Sequence, residues 1–176
     1  IIIDHRLVDK FEYRISPFKE CEIDREALKI SNTSCLDFLK YNKEFQVQYM
    51  INELARKHLS YADETDKFFL AGWRAPEFDV KFLQAFFHRN SSKEIYDSYF
   101  WSNPIDVKSL ATQYLINERH KIVSFSLAPI ARYLGVEIDE SQLHKASYDA
   151  YLCRKVYEKV TNTQIIDKKI LKKVKR

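Results

Sequence analysis

Between residues 42 and 59 the less polar side chains fall on one face of a helix. Val47, Met50, Ile51, Leu54 and His58 recur three or four positions apart, while Glu44, Gln48, Glu53 and Lys57 take the other side. That period of about 3.6 residues predicts an amphipathic helix. The pattern ahead of it is different. Over residues 6–15, Leu7, Phe11, Tyr13 and Ile15 mostly alternate with charged residues, the period of a half-buried strand, and Ser16-Pro17 closes the run. Asp24 is placed to cap a short helix through Ile30, with Glu26 and Ala27 in its first turn.

Farther along, Lys67-Phe68-Phe69-Leu70-Ala71-Gly72 is a short apolar run closed by glycine, the form of a buried strand, and residues 78–87 return to helical spacing. Residues 96–101 read as a further strand. Helices are expected over 106–116, over 126–134 with Gly135 as the stop, and over 147–160. Pro129 fits only in a first helical turn, where its missing N–H costs little. Strands separated by helices predict an α/β layer fold.

Composition narrows the class. The 176 residues are 45% hydrophobic, enough to bury a core, and contain two glycines, four prolines, no repeat and no linker-like stretch, so one compact domain is the default. Ile1-Ile2-Ile3 is too short for a leader or a membrane span, and no later run is long and apolar enough, so the expectation is a soluble, cytoplasmic protein with no membrane partner. Cys21, Cys35 and Cys153 have no Cys-x-x-Cys or Cys/His spacing, which argues against zinc and against a disulfide framework. Of 29 Lys and Arg, six lie in residues 165–176 beside one of the 25 acidic residues, leaving 23 basic and 24 acidic residues elsewhere. The basicity is a property of this tail, 164–176, which is expected to be helical. A near-neutral body excludes a broad DNA-coating surface but leaves room for a local groove that takes phosphates.

Two local patterns carry chemistry. The first is Ala71-Gly72-Trp73-Arg74-Ala75-Pro76-Glu77-Phe78-Asp79-Val80, in which a strand ends, a loop turns and Phe78-Asp79 opens an apolar helix. The second is His144-Lys145-Ala146-Ser147-Tyr148-Asp149, preceded by a Leu-rich helix ending in Leu134-Gly135-Val136, with Ile105-Asp106-Val107-Lys108-Ser109-Leu110 between the two. In order and separation these features resemble the DnaQ-like, DEDDh-type 3′-to-5′ exonucleases over about residues 7–160: a Phe-Asp at a helix start, then a His-x-x-x-x-Asp. The resemblance implies a ribonuclease H-like mixed sheet flanked by helices, an exonuclease domain over 1–163, and action on single-stranded DNA or RNA 3′ ends. It also implies two Mg²⁺ or Mn²⁺ ions.

In that chemistry two divalent ions roughly 4 Å apart activate water and steady the leaving oxygen, and hard ions prefer carboxylate oxygen, so carboxylates must converge from separate elements. The resemblance implies that Asp79 and Asp149 are two of these carboxylates and that His144 is the general base, a role suited to its near-neutral pKa. Five helical residues turn through about 500°, so His144 and Asp149 cannot face one way within one regular helix. His144 is therefore expected in the loop before the helix that carries Asp149.

The sequence departs from the family in two places. An Asp-x-Glu belongs at the end of a first strand, and no such pair is present upstream of the strand over 6–15; Ile1-Ile2-Ile3-Asp4 is followed by His5-Arg6 and reads as the start of the second strand. Either the pair lies upstream of Ile1, or the chain is a degenerate, inactive member of the family. This chain alone is expected to be nearly inert. The second departure is Trp73-Arg74, where the family commonly has His-Asn. An indole and a guanidinium could stack on, or pair with, a terminal nucleotide, with Phe78 beside them as a third substrate contact; the plain alternative is a packed Trp73 and a solvated Arg74. Singly, Asp79 could be an ordinary carboxylate at a helix N-terminus, Asp149 a surface residue and Asp106 a helix cap. The rival functions are a non-catalytic module that binds nucleic-acid ends or a protein, and a proofreading subunit whose tail grips a polymerase or other replication partner.

Overall fold

Asp4 and His5 both take left-handed backbone conformations, with φ 49° and 58°, and turn the chain back on itself in this computed structural model. Two successive positive φ values make the two-residue turn whose twist matches a hairpin. It joins β1 (Ile2–Ile3) to β2 (Arg6–Leu7) in antiparallel register, Ile2 opposite Leu7 and Ile3 opposite Arg6. The strand expected over 6–15 therefore stops at Leu7, and residues 1–15 are not one continuous strand. Beyond it, Ile15 makes only an isolated parallel bridge to Asn42 and Phe11 and Ile15 stay exposed, while Tyr13 packs partly buried against a core without belonging to a strand.

The structure describes residues 1–30, 33–91 and 93–167. They combine helices with two small sheets, a mixed α/β arrangement, and the chain divides into two compact units. The first unit takes Ile1–Glu12 and Val107–Arg176, the second Tyr13–Asp106.

In the second unit, α1 (Arg25–Ile30) starts where expected: Asp24 Oδ1 accepts the Glu26 N–H at 2.8 Å, satisfying one of the orphan donors of a helix start. Next come α2 (Glu44–His58), β3 (Ala71–Gly72), α3 (Asp79–Asn90), α4 (Lys93–Tyr99) and β4 (Ile105–Asp106). α2 follows its predicted period with one correction. Gln48, assigned to the polar side, is 4% exposed and donates to Asn52 Oδ1, and Ala55 completes the buried face with Val47.

Residues 96–101 are not a strand but mostly the end of α4. Tyr96 and Tyr99, three apart, bury one helical face edge-on against Phe87, with centroids at 5.5 and 6.2 Å, so a short aromatic run that mimics a strand satisfies a helix. Phe100, just past the helix, bridges Phe68 in parallel. Of the run 67–72 only Ala71–Gly72 enters a ladder, parallel to β4 with Ala71 opposite Ile105 and Gly72 opposite Asp106. Phe87, Phe86, Tyr96, Tyr99, Val47 and Ala55 make the core of this unit.

In the first unit, α7 (Ala146–Val160) packs on both α5 (Val107–Tyr114) and α6 (Leu127–Tyr133), and Ala111, Ile130, Leu152 and Val156 are fully buried. Pro129 lies in the first turn of α6. That helix ends as Gly135 enters the left-handed region at φ 74°, letting Val136 N–H reach the Ala131 carbonyl at 2.9 Å. The tail does not begin as a helix: Ile165 is buried and β5 (Ile166–Asp167) pairs in parallel with β2, while 168–176 lie outside the described residues. Among the described residues no cysteine is in a disulfide, and no helix is long and apolar enough to cross a membrane.

Candidate active site

The parallel ladder of the second unit ends at Gly72 and Asp106, and the loop that leaves Gly72 carries four of the residues singled out in the sequence. Gly72 is required by close approach. A Cβ there would sit 3.0 Å from the Ala75 Cβ, so the absent side chain lets the loop fold back, and the Asp79 carboxylate, 3.7 Å from that position, rests in ordinary contact range over the strand end. Asp79 is the first residue of α3. It is exposed to solvent, and the partial burial of its carboxyl raises its pKa above the ordinary aspartate value, while its own backbone N–H opposes that shift. A partly desolvated carboxylate is one that a cation would stabilise.

Arg74 stands at φ 60° and is tied down on all sides. Its N–H donates to Asp106 Oδ1 at 3.0 Å, its carbonyl accepts from Glu77 and Phe78 N–H at 3.0 and 3.2 Å, and its Nε and Nη2 both donate to Glu77 Oε2. The guanidinium is exposed, but a phosphate would compete with Glu77 for it. Trp73 is half-buried. Phe78 is 61% exposed and Phe82, one turn on, 64%, with ring centroids 4.7 Å apart. Phe82 was not singled out in the sequence, although a pair of aromatics four residues apart at a helix start was a visible signal.

In the first unit His144 occupies the loop between a 3₁₀ turn, Glu140–Gln142, and α7, at φ 66° and exposed to solvent. The expected loop position is the observed one. The loop is held at its start and its end: the Tyr148 hydroxyl accepts the Asp139 N–H at 2.7 Å, and Lys145 N–H reaches the Gln142 carbonyl at 3.1 Å. Asp149 lies in the first turn of α7, half-buried, its N–H on the Lys145 carbonyl at 2.9 Å, where the helix dipole favours a carboxylate. Tyr148 as an anchor of this loop was invisible in sequence, since nothing in the spacing marks a side-chain acceptor for a backbone N–H.

Thus Trp73, Arg74, Phe78 and Asp79 share one strand-to-helix loop of the second unit, and His144 and Asp149 share one loop-to-helix start of the first. The hard oxygen donors at Asp79 and Asp149 suit Mg²⁺ or Mn²⁺ in kind. In number they fall short: among the described residues no group of three or more His, Cys, Asp or Glu gathers in a way that could hold an ion, and the one Asp-x-Glu of the sequence, Asp24-Arg25-Glu26, stands at the start of α1 and not at the end of a first strand. The chain matches no protein-family model and no curated protein.

Proposed function

We propose that this protein is a metal-dependent 3′-to-5′ exonuclease of ribonuclease H-like fold, hydrolysing phosphodiester bonds at single-stranded DNA or RNA ends. The observation that carries this reading is local. A carboxylate with a raised pKa stands at the helix start that follows a parallel strand, and a histidine in a left-handed loop stands directly ahead of a helix whose first turn holds another carboxylate. Asp79 and Asp149 would each offer a carboxylate oxygen to an ion. The ions, when bound, supply activation of water and charge on the leaving oxygen. His144, exposed to solvent, takes the proton of the attacking water on an imidazole nitrogen. Phe78 and Phe82 offer faces on which a terminal base stacks, and Trp73 and Arg74 flank them.

The test uses the full-length protein with a 5′-labelled oligonucleotide and Mg²⁺ or Mn²⁺. Single-nucleotide shortening from the 3′ end is expected, and His144→Ala and Asp149→Ala should each abolish it; retained activity in either variant removes the assignment.

The absence of an Asp-x-Glu at the end of a first strand favours a second reading, a non-catalytic module of the same fold that binds nucleic-acid ends or a protein. Calorimetry with Mn²⁺ separates the two: binding of two ions belongs to the nuclease, and no binding to the module. Proofreading beside a polymerase is a narrower form of the first reading, supported by the basic tail.

A further inference from the structure

Arginine is an uncommon residue in the left-handed region, where its Cβ crowds the following carbonyl, and glycine, asparagine, aspartate and histidine populate that region far more readily. The φ of 60° at Arg74 therefore needs contacts that hold it. The carbonyl and guanidinium contacts of Arg74, to Phe78 N–H and to Glu77, arise inside the loop itself. The bond from its N–H to Asp106 Oδ1 comes from 32 residues away. Asp106 is in reach because β3 and β4 run parallel with Gly72 opposite Asp106, so the last side chain of one strand meets the loop leaving the other. From Arg74 the constraint passes directly to the site: its carbonyl takes the Phe78 N–H, and Phe78 is the cap of the helix that Asp79 begins.

We propose that Asp106 is a positioning residue: by accepting the Arg74 N–H it fixes the turn between β3 and α3 and so sets where the Asp79 carboxylate stands over Gly72. Its effect on catalysis rests on the exonuclease reading; its hold on the loop does not. The requirement is for an acceptor oxygen, not for negative charge, and this separates Asp106 from a metal ligand. Asparagine keeps such an oxygen at the same reach. Alanine removes it. Serine also withdraws it, by shortening the side chain, while remaining a good residue to stand directly before a helix.

The full-length protein and its Asp106→Asn, Asp106→Ala and Asp106→Ser variants are compared by two readouts. The first is the rate of limited trypsin cleavage after Arg74, located by mass spectrometry. Losing a hydrogen bond to a charged acceptor should raise the open population of the loop, and the cleavage rate with it, by about tenfold in the alanine and serine variants. The second is Mg²⁺-dependent digestion of a single-stranded oligonucleotide. A displaced Asp79 should lower kcat by about 100-fold in those variants, with KM little changed. Asp106→Asn should resemble the unaltered protein in both. If alanine prevents folding, the serine variant carries the comparison. Unchanged cleavage after Arg74 in the alanine and serine variants overturns the proposal, and so does an asparagine variant as inactive as alanine, because charge would then be the requirement. Faster cleavage with unaltered kcat overturns the positioning role. If the unaltered protein shows no nuclease activity, the exonuclease reading fails by itself, and the cleavage rates still decide whether Asp106 holds the loop.

Discussion

Replacing Phe87 by alanine should be among the most destabilising single changes in the second unit, and its size follows from what surrounds the ring. Phe87 is 0% exposed, and its ring lies at 5.9, 5.5, 6.2 and 5.9 Å from those of Phe86, Tyr96, Tyr99 and Phe100, each met nearly edge-on. Truncating a buried phenylalanine loses the transfer free energy of the ring and leaves a cavity its neighbours only partly fill, together about 3–5 kcal/mol. Edge-to-face pairs are worth about 0.5–1.5 kcal/mol each beyond area, so the upper half of that range is expected. For a chain of this length that corresponds to a fall in Tm of about 6–20 °C. Urea unfolding followed by far-ultraviolet circular dichroism measures the loss directly, with an unchanged denaturant slope as the check that the same surface is exposed. The change also touches the site, since Phe87 lies on the helix that Asp79 starts, about 12 Å along its axis. A loss of less than about 1 kcal/mol would refute the packing argument, because a ring so placed cannot be removed that cheaply.

Two further outcomes follow from the site. Burial raises the Asp79 pKa in the folded state, so ionising it at neutral pH costs the fold stability that protonation at low pH restores; Asp79→Asn should stabilise the protein to urea at pH 7, with the gain vanishing below the ordinary aspartate pKa, and a gain that does not change with pH contradicts this. At His144, φ 66° strains an alanine and not a glycine, so His144→Gly should be about 1 kcal/mol more stable than His144→Ala, and equal stabilities would mean the loop is not held left-handed.

What the sequence discloses depends on how locally it is encoded. The long helices were legible because their cores repeat at helical spacing, and the end of α6 because Gly135 supplies the conformation that a helix stop requires. Residues 96–101 misled because strand propensity and a buried helical face both draw on tyrosine and phenylalanine; only the position of Phe87 decides between them. The hairpin at Asp4-His5 was missed because alternation over 6–15 outweighed a turn signal made of two residues that are not glycine. In the site, the shared role that the family resemblance implies for His144 and Asp149, combined with helix geometry, placed one in a loop and the other in a helix. The bond from Arg74 to Asp106, 32 residues apart, had no such signature, since parallel register between distant strands is a property of the assembled sheet.

Among the described residues five that are not glycine take positive φ: Asp4, His5, Arg74, His144 and Asn162. Three have ordinary structural reasons. Asp4 and His5 close the hairpin, and Asn162 ends α7 in the conformation that lets Thr163 N–H reach the Glu158 carbonyl at 3.0 Å. Arg74 neither closes a hairpin nor terminates a helix, and His144, of a type that enters this region more readily, follows a 3₁₀ turn; each stands in a loop that leads into an α-helix. Conformations that cost about 1–3 kcal/mol persist where the surroundings over-determine them, and they cluster at functional sites. Here the surroundings are identifiable, Asp106 and Glu77 for the first, Tyr148 and Gln142 for the neighbourhood of the second. The strain thus falls on the same two loops that the sequence marks by its carboxylates, a coincidence expected if those loops are shaped for a substrate and unexplained if they are mere connections.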